Sequence, residues 1–237
     1  VLYFSNFTDQ RLYRHRPSET PQPLTPEADL RYADGVVDSH RGRMYCVRED
    51  HTTAEREAVN TLVAIDLREG GAGRVVVSGN DFYSTPRLSP DGSSLAWLTW
   101  NHPNMPWDGT ELWIGQIDDD GSLADVQLVA GDLKESIFQP EWSPDDVLYF
   151  VSDRTGWWNL HRWRDGTVES VSSMDVEFGM PQWAFGTRTY GFASARRIIC
   201  AYNRNGTWSI AEVDTDSLTL TTIPTPFTEL THIGMQV

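Results

Sequence analysis

The chain has 237 residues, with 19 Lys and Arg against 34 Asp and Glu, for a formal net charge of −15. That length holds one large domain or two small ones with a sizeable core, and a chain so negative repels phosphate backbones, which argues against nucleic acid as a partner. Hydrophobic residues make up 39 % and Trp occurs ten times, too much apolar material for a disordered segment.

No apolar stretch approaches the roughly 20 residues that a membrane helix requires, so no membrane partner is expected. There is no signal peptide in the sequence, which proves little for a chain that opens inside a β-like run; the expected location is cytoplasmic, with the periplasm as the alternative. The chain opens at Val1 inside a β-like run, as if cut from a longer polypeptide. Cys46 and Cys200 sit far apart in apolar runs with no metal-ligand spacing. They read as buried free thiols, with no metal and no other cofactor expected.

Helix periodicity is scarce, and 18 Gly and 13 Pro punctuate short apolar or alternating runs, the pattern of an all-β chain. Val1-Leu2-Tyr3-Phe4 opens the series, and residues 12–15 alternate after it. Residues 35–38, 44–47, 61–66 and 74–78 follow as four successive runs. Pro86-Arg87-Leu88-Ser89-Pro90-Asp91-Gly92 starts the next four, with 95–98, 111–118 and 126–129. Fifty-four residues after Pro86, Pro140-Glu141-Trp142-Ser143-Pro144-Asp145-Asp146 starts four more. Its second run, Val147-Leu148-Tyr149-Phe150, spells the opening tetrapeptide again, so the chain begins one strand into an earlier copy. Pro181-Gln182-Trp183-Ala184-Phe185-Gly186 reads as a weaker copy of the turn, with 189–192, 207–214 and 218–223 behind it.

Four strands per unit of about 40 to 50 residues is the period of a β-propeller blade. The Ser-Pro-Asp-Gly turn joins the first run to the second: Pro fixes φ, Asp accepts local backbone hydrogen bonds and Gly takes positive φ. Asp146 replaces the Gly in one copy and tolerates that conformation better than most residues. Asp118-Asp119-Asp120-Gly121 lacks a Glu at the twelfth loop position and is a hairpin turn, not a calcium site. The expected fold is an all-β, partial ring of four-stranded antiparallel blades. About four are complete (35–85, 86–139, 140–180 and 181–232), between a broken blade at 1–34 and the start of another at 233–237.

Ser143-Pro144-Asp145, followed by Tyr149-Phe150-Val151-Ser152-Asp153-Arg154-Thr155-Gly156-Trp157-Trp158-Asn159-Leu160, resembles the propeller of the prolyl oligopeptidase family of serine peptidases. The resemblance is to the bacterial acylaminoacyl-peptidase and dipeptidyl-aminopeptidase-like branch. Arg48-Glu49-Asp50-His51 with residues 60–67 supports it, as does Glu177-Phe178-Gly179 with Pro181-Gln182-Trp183. The most specific stretch runs from His102-Pro103-Asn104-Met105-Pro106-Trp107-Asp108 to Trp113. The resemblance implies a second domain, an α/β-hydrolase with a Ser-Asp-His triad, over which the propeller restricts access to short peptides. No Gly-x-Ser-x-Gly nucleophile elbow occurs in this sequence, so no catalytic residue is assigned and the chain alone is expected to be inert.

Three loops carry candidate residues for a substrate gate or an interdomain contact. The first holds His102, Met105, Trp107 and Asp108 in a proline-stiffened insertion between second and third strands. It reads either as a rigid lip facing hydrolase or substrate, or as a loop folded on its own blade with Trp107 as a plug. The second holds Glu49, Asp50, His51, Glu55 and Glu57, carboxylates suited to a peptide amine or simply solvated. The third holds Arg154 and Trp157: a bidentate carboxylate clamp, or an Arg–Asp pair with Trp packed between blades.

The expected function is that of a non-catalytic propeller that gates and positions short peptides over its own C-terminal hydrolase domain. The alternative is a stand-alone TolB-like propeller acting as a binding scaffold.

Overall fold

The computed structural model describes residues 1–53 and 57–230. Glu55 and the expected blade start at 233–237 lie outside the described residues. A three-stranded sheet comes first, β1 (Leu2–Ser5), β2 (Leu12–His15) and β3 (Gln22–Pro23). Four full blades follow, each a meander in chain order. The first is β4 (Leu30–Asp38), β5 (Arg43–Asp50), β6 (Val59–Asp66) and β7 (Gly70–Val77), and the second is β8 (Phe82–Leu88), β9 (Ser94–Trp100), β10 (Glu111–Ile117) and β11 (Leu123–Gly131). The third is β12 (Ile137–Trp142), β13 (Leu148–Ser152), β14 (Asn159–Arg164) and β15 (Thr167–Ser170), and the fourth is β16 (Tyr190–Ser194), β17 (Arg197–Arg204), β18 (Thr207–Asp214) and β19 (Thr219–Ile223). All pairings are antiparallel. Among the described residues no sheet closes on itself, and the blades form a partial propeller. Among the described residues no helix is long and apolar enough to cross a membrane.

The strand alternation explains why the sheets stand beside one another. Leu95 and Trp97 of β9 join Tyr45, Val47 and Leu62 in one core, while Ala96 and Leu98 of the same strand join Ile137, Leu148 and Phe150 in the next. β13 divides likewise: Leu148 and Phe150 face the second blade, Tyr149 and Val151 face Tyr190 and Ile198 of the fourth. With successive side chains on opposite faces, each middle strand supplies two inter-blade cores. Trp97 is fully buried, and its replacement by Ala costs about 3–5 kcal/mol. Cys46 and Cys200 are free and buried, and burial pushes both thiols up to about 12.

The first strands of the blades neighbour each other, β4 with β8 and β8 with β12, which puts them at the channel wall. Each of these three strands bulges. The bulge residues Asp34, Thr85 and Gln139 have φ of 51°, 56° and 47°, values uncommon for residues other than Gly. Blade-to-blade hydrogen bonds hold them: Thr85 N–H donates to Asp34 Oδ2 at 2.5 Å, and Thr189 N–H donates to Gln139 Oε1 at 2.7 Å. Charges alternate along the same wall. Arg87 lies 3.7 Å from Asp34 and 3.6 Å from Glu141, and Arg188 lies 3.7 Å from Glu141.

At one end of the arc, Ser89 Oγ donates to Asp91 at 2.6 Å and Ser143 Oγ to Asp145 at 2.6 Å, so both expected hairpin turns form. Gly92 and Asp146 take φ of 72° and 61° there. The segment Pro181–Gly186 differs from expectation. It makes no hairpin; the fourth blade starts at β16, so residues 190–192 fall in its first strand rather than its second, with Thr189 just before it. The preceding segment instead crosses the opposite end of the blades.

Candidate functional site

That opposite end carries the loops from second to third strands and the connections between blades. The loop 101–110 joins β9 to β10. Asp81, on the connection before the second blade, accepts from His102 N–H at 2.9 Å and lies 3.1 Å from its Nδ1. The His102 backbone N–H holds the Asp81 carboxyl below its ordinary range. On the other flank Asn104 Nδ2 donates to the Leu133 carbonyl at 2.9 Å, and Ser136 Oγ to the Pro106 carbonyl at 2.9 Å. Asp108 closes the tip, its carboxylate accepting from Met105 N–H at 2.9 Å. The loop is stapled on both sides, and Asp108 serves its shape.

A cavity of about 330 Å³ opens beside this loop, walled by Phe82, Trp100, Pro103, Met105, Trp107 and, from the segment before the fourth blade, Trp183 and Phe185. The Trp107 and Trp183 rings lie 4.4 Å apart, and Phe82 stacks on Trp100 at 5.4 Å. Trp183 is 78 % exposed and Phe185 53 %. Trp107 is half-buried, neither folded away on its own blade nor free. Phe185 also lines a smaller cavity with Arg31, Tyr32 and Glu49, so its segment spans from the second blade's loop to the first blade. Gln182 ties that segment down, its Nε2 donating to the Ile137 carbonyl at 3.1 Å.

A second cavity of about 450 Å³ adjoins the first and shares Phe82 and His102 with it. Glu49, His51, Glu57 and Asp81 line this one. His51 Nε2 and Glu49 Oε2 are 3.1 Å apart. Asp50 does not join them: it accepts from the Thr52 hydroxyl at 2.6 Å and backbone N–H at 3.0 Å, and these bonds, the hydroxyl first, lower its carboxyl. An apolar slot and an acid-lined cleft thus meet edge to edge, suited to a ligand that is apolar at one point and cationic at another.

Arg154 and Trp157 line neither cavity. Arg154 Nε donates to Glu135 Oε1 at 2.8 Å, and Ser152 Oγ donates to the same oxygen. The partner is Glu135, not an Asp. Trp157 is 39 % exposed, and its carbonyl receives the Asn159 amide. Phe82, Trp183 and Phe185 are the residues that sequence reasoning missed as site residues; two aromatics within the polar segment 181–188 were the available signal.

No protein-family model and no curated protein matches the sequence. Solved structures do match. A mutant puromycin hydrolase complexed with PGG is 36 % identical with a TM-score of 0.87, over 96 % of this chain and 37 % of that one. A puromycin-hydrolyzing peptidase of Mycobacterium tuberculosis is 34 % identical with a TM-score of 0.86, over 95 % of this chain and 37 % of that one. TolB from Acinetobacter baumannii is 16 % identical with a TM-score of 0.56, over 92 % of this chain and 50 % of that one, a likeness of fold alone. The chain spans 37 % of the length of the peptidases it matches.

Proposed function

We propose that this chain, whose blades match the N-terminal propeller region of the prolyl oligopeptidase-family peptidases, gates and positions short peptides over an α/β-hydrolase domain of the same polypeptide. The observation that carries this reading is the meeting of two cavities on one end of the blades, one apolar and one acid-lined, through Phe82 and His102. A short peptide offers the matching chemistry, apolar side chains beside a protonated amine. Carboxylates in a partly shielded cleft hold such an amine by charge-assisted hydrogen bonds. The segment 181–188, reaching from the second blade's loop to the first blade, limits what passes along that end by size.

Among branches of the family we favour the acylaminoacyl-peptidase and dipeptidyl-aminopeptidase-like one, on the stretch from His102 to Trp113. The relatives at 34–36 % identity are puromycin-hydrolysing enzymes, so puromycin is the first small substrate to try. A stand-alone binding propeller is the weaker reading, because the TolB likeness is one of fold alone, at 16–18 % identity.

The test is steady-state kinetics of the complete polypeptide that carries these blades, on peptides of increasing length up to an unfolded protein. Short peptides should turn over and long chains should not. Replacing residues 182–186 by a two-Gly link should relax the length limit. Equal turnover of long and short substrates would sink the gating role, and a complete polypeptide without hydrolytic activity would favour the scaffold.

A further inference from the structure

The apolar cavity has features that the gating role does not use. Its walls are mostly flat rings: Phe82, Trp100, Trp107, Trp183 and Phe185. Two of the rings come from one blade's strands, one from that blade's loop, and two from a segment that belongs to another part of the chain. The two indoles that face each other across the blade boundary, Trp107 and Trp183, touch at 4.4 Å, while Trp183 leaves 78 % of its surface in solvent. The cavity, about 330 Å³, lies at the lower end of the usual range for small-molecule sites and has room for one ring system. Aromatic rings prefer offset or edge-on contact with other rings, which the tilted Trp pair and the stacked Phe82 and Trp100 leave available. The rim of the slot, at Phe82 and His102, is also the rim of the cleft holding Glu49, Glu57 and Asp81. A side chain seated in the slot therefore has carboxylates next to its own backbone.

We propose that this slot is a subsite for a single aromatic side chain of a cationic peptide, with Trp107 and Trp183 as the residues that determine the preference. The inference rests on the peptide-receiving reading above and deepens it by naming the side-chain class. Charge complementarity fixes the cation, since a protonated amine beside the seated side chain meets the carboxylates of the cleft, and the rings that wall the slot favour an aromatic side chain in it. Occupancy covers Trp183 and draws its segment toward the second blade's loop.

The probes are phenylalaninamide, leucinamide and alaninamide, titrated calorimetrically into the complete polypeptide with tryptophan fluorescence recorded in parallel. Phenylalaninamide should bind about tenfold or more tightly than alaninamide, as expected for burying one large apolar side chain, and should change the fluorescence. Trp107→Ala and Trp183→Ala should each shrink that gap to about twofold, Trp183→Phe should restore most of it, and Trp157→Ala should leave it intact. Trp183 is exposed and Trp107 half-buried, and a melting curve of each variant checks its folding. Equal binding of phenylalaninamide and alaninamide, no binding of either, or a gap that survives both Trp→Ala changes overturns the proposal. Leucinamide matching phenylalaninamide overturns the aromatic preference. A lost aromatic preference with the length limit retained refutes the subsite alone; a lost length limit with the preference retained refutes the gate alone.

Discussion

Gln139 and Tyr190 stand in different blades and each caps the other's backbone: Gln139 Nε2 donates to the Tyr190 carbonyl at 2.7 Å, and Tyr190 Oη donates to the Gln139 carbonyl at 2.8 Å. Both residues are buried. Removing one partner leaves a buried polar group unsatisfied, at about 1–3 kcal/mol. Tyr190→Phe should therefore destabilise the protein by that amount, and Gln139→Leu by more, since its amide also holds Thr189. The double variant should cost less than the two singles together, with a coupling of about 0.5–3 kcal/mol. Urea unfolding of the four proteins measures it, and additive losses would mean that the two groups are not coupled.

This pair also explains what sequence reasoning could and could not reach. The hairpin at Ser89-Pro90-Asp91-Gly92 is local chemistry, four residues that satisfy each other, and it forms as expected. The strand Thr207–Asp214 has the same bounds in sequence and structure, because alternation needs no partner to be visible. Pro181-Gln182-Trp183 imitates Pro140-Glu141-Trp142 with Gln in place of Glu, yet the strand starts at Tyr190, where Gln139 of the preceding blade anchors it. The bulges at Asp34, Thr85 and Gln139 were equally hidden, since Thr and Gln rarely adopt positive φ and cross-blade hydrogen bonds help hold them there. The site followed the same rule. The insertion around His102 was legible as an insertion, but its facing wall, Trp183, comes from 76 residues further along the chain than Trp107.

Arg154 should prove to be part of the frame and not a substrate clamp. Its guanidinium is already engaged by Glu135, which also accepts from Ser152, and it lies apart from both cavities. With a third of the side chain in solvent, the pair is worth no more than about 1 kcal/mol. Arg154→Ala should lower stability within that limit and leave kcat/KM for short peptides unchanged. A large rise in KM for peptides with a free carboxylate, without loss of stability, would restore the clamp.

Acid should weaken the fold in two stages. His161 is buried against Phe150, and desolvation lowers its pKa below 6.5. The unfolded chain takes up that proton first, so stability is full above 6.5 and falls as pH drops from there to the lower folded value. The turn aspartates act further down. The Ser89 hydroxyl lowers Asp91 and the Ser217 backbone N–H lowers Asp214, so their contribution holds above 3.8 and is lost as pH falls through their folded values. Asp153 runs the other way: burial raises it, and protonation relieves the cost. Urea midpoints taken across the acid range should show both stages, and His161→Gln should erase the first only. A profile that stays flat from neutral pH down to 3.8 would contradict this assignment.

The 237-residue chain on its own should associate through β1. Every full blade has four strands, whereas among the described residues β1 pairs with β2 and has no strand on its other edge. Beside that edge a cavity of about 300 Å³ is lined by Tyr3, Phe4, Ser5, Tyr32, Asp34 and Met44, a mixed polar and apolar surface that an added β-strand can cover. Such an edge beside this cavity offers a second chain both backbone hydrogen bonds and side-chain contacts. Sedimentation should therefore show mass rising with concentration, and Leu2→Lys, which puts a charge on an exposed position of that strand, should shift the chain toward monomer without changing its far-UV spectrum. A wild-type chain that stays monomeric at high concentration, or a Leu2→Lys chain that associates as strongly, would place the sticky surface elsewhere, with the exposed Trp183 and Phe185 at the other end of the blades as the next surface to alter.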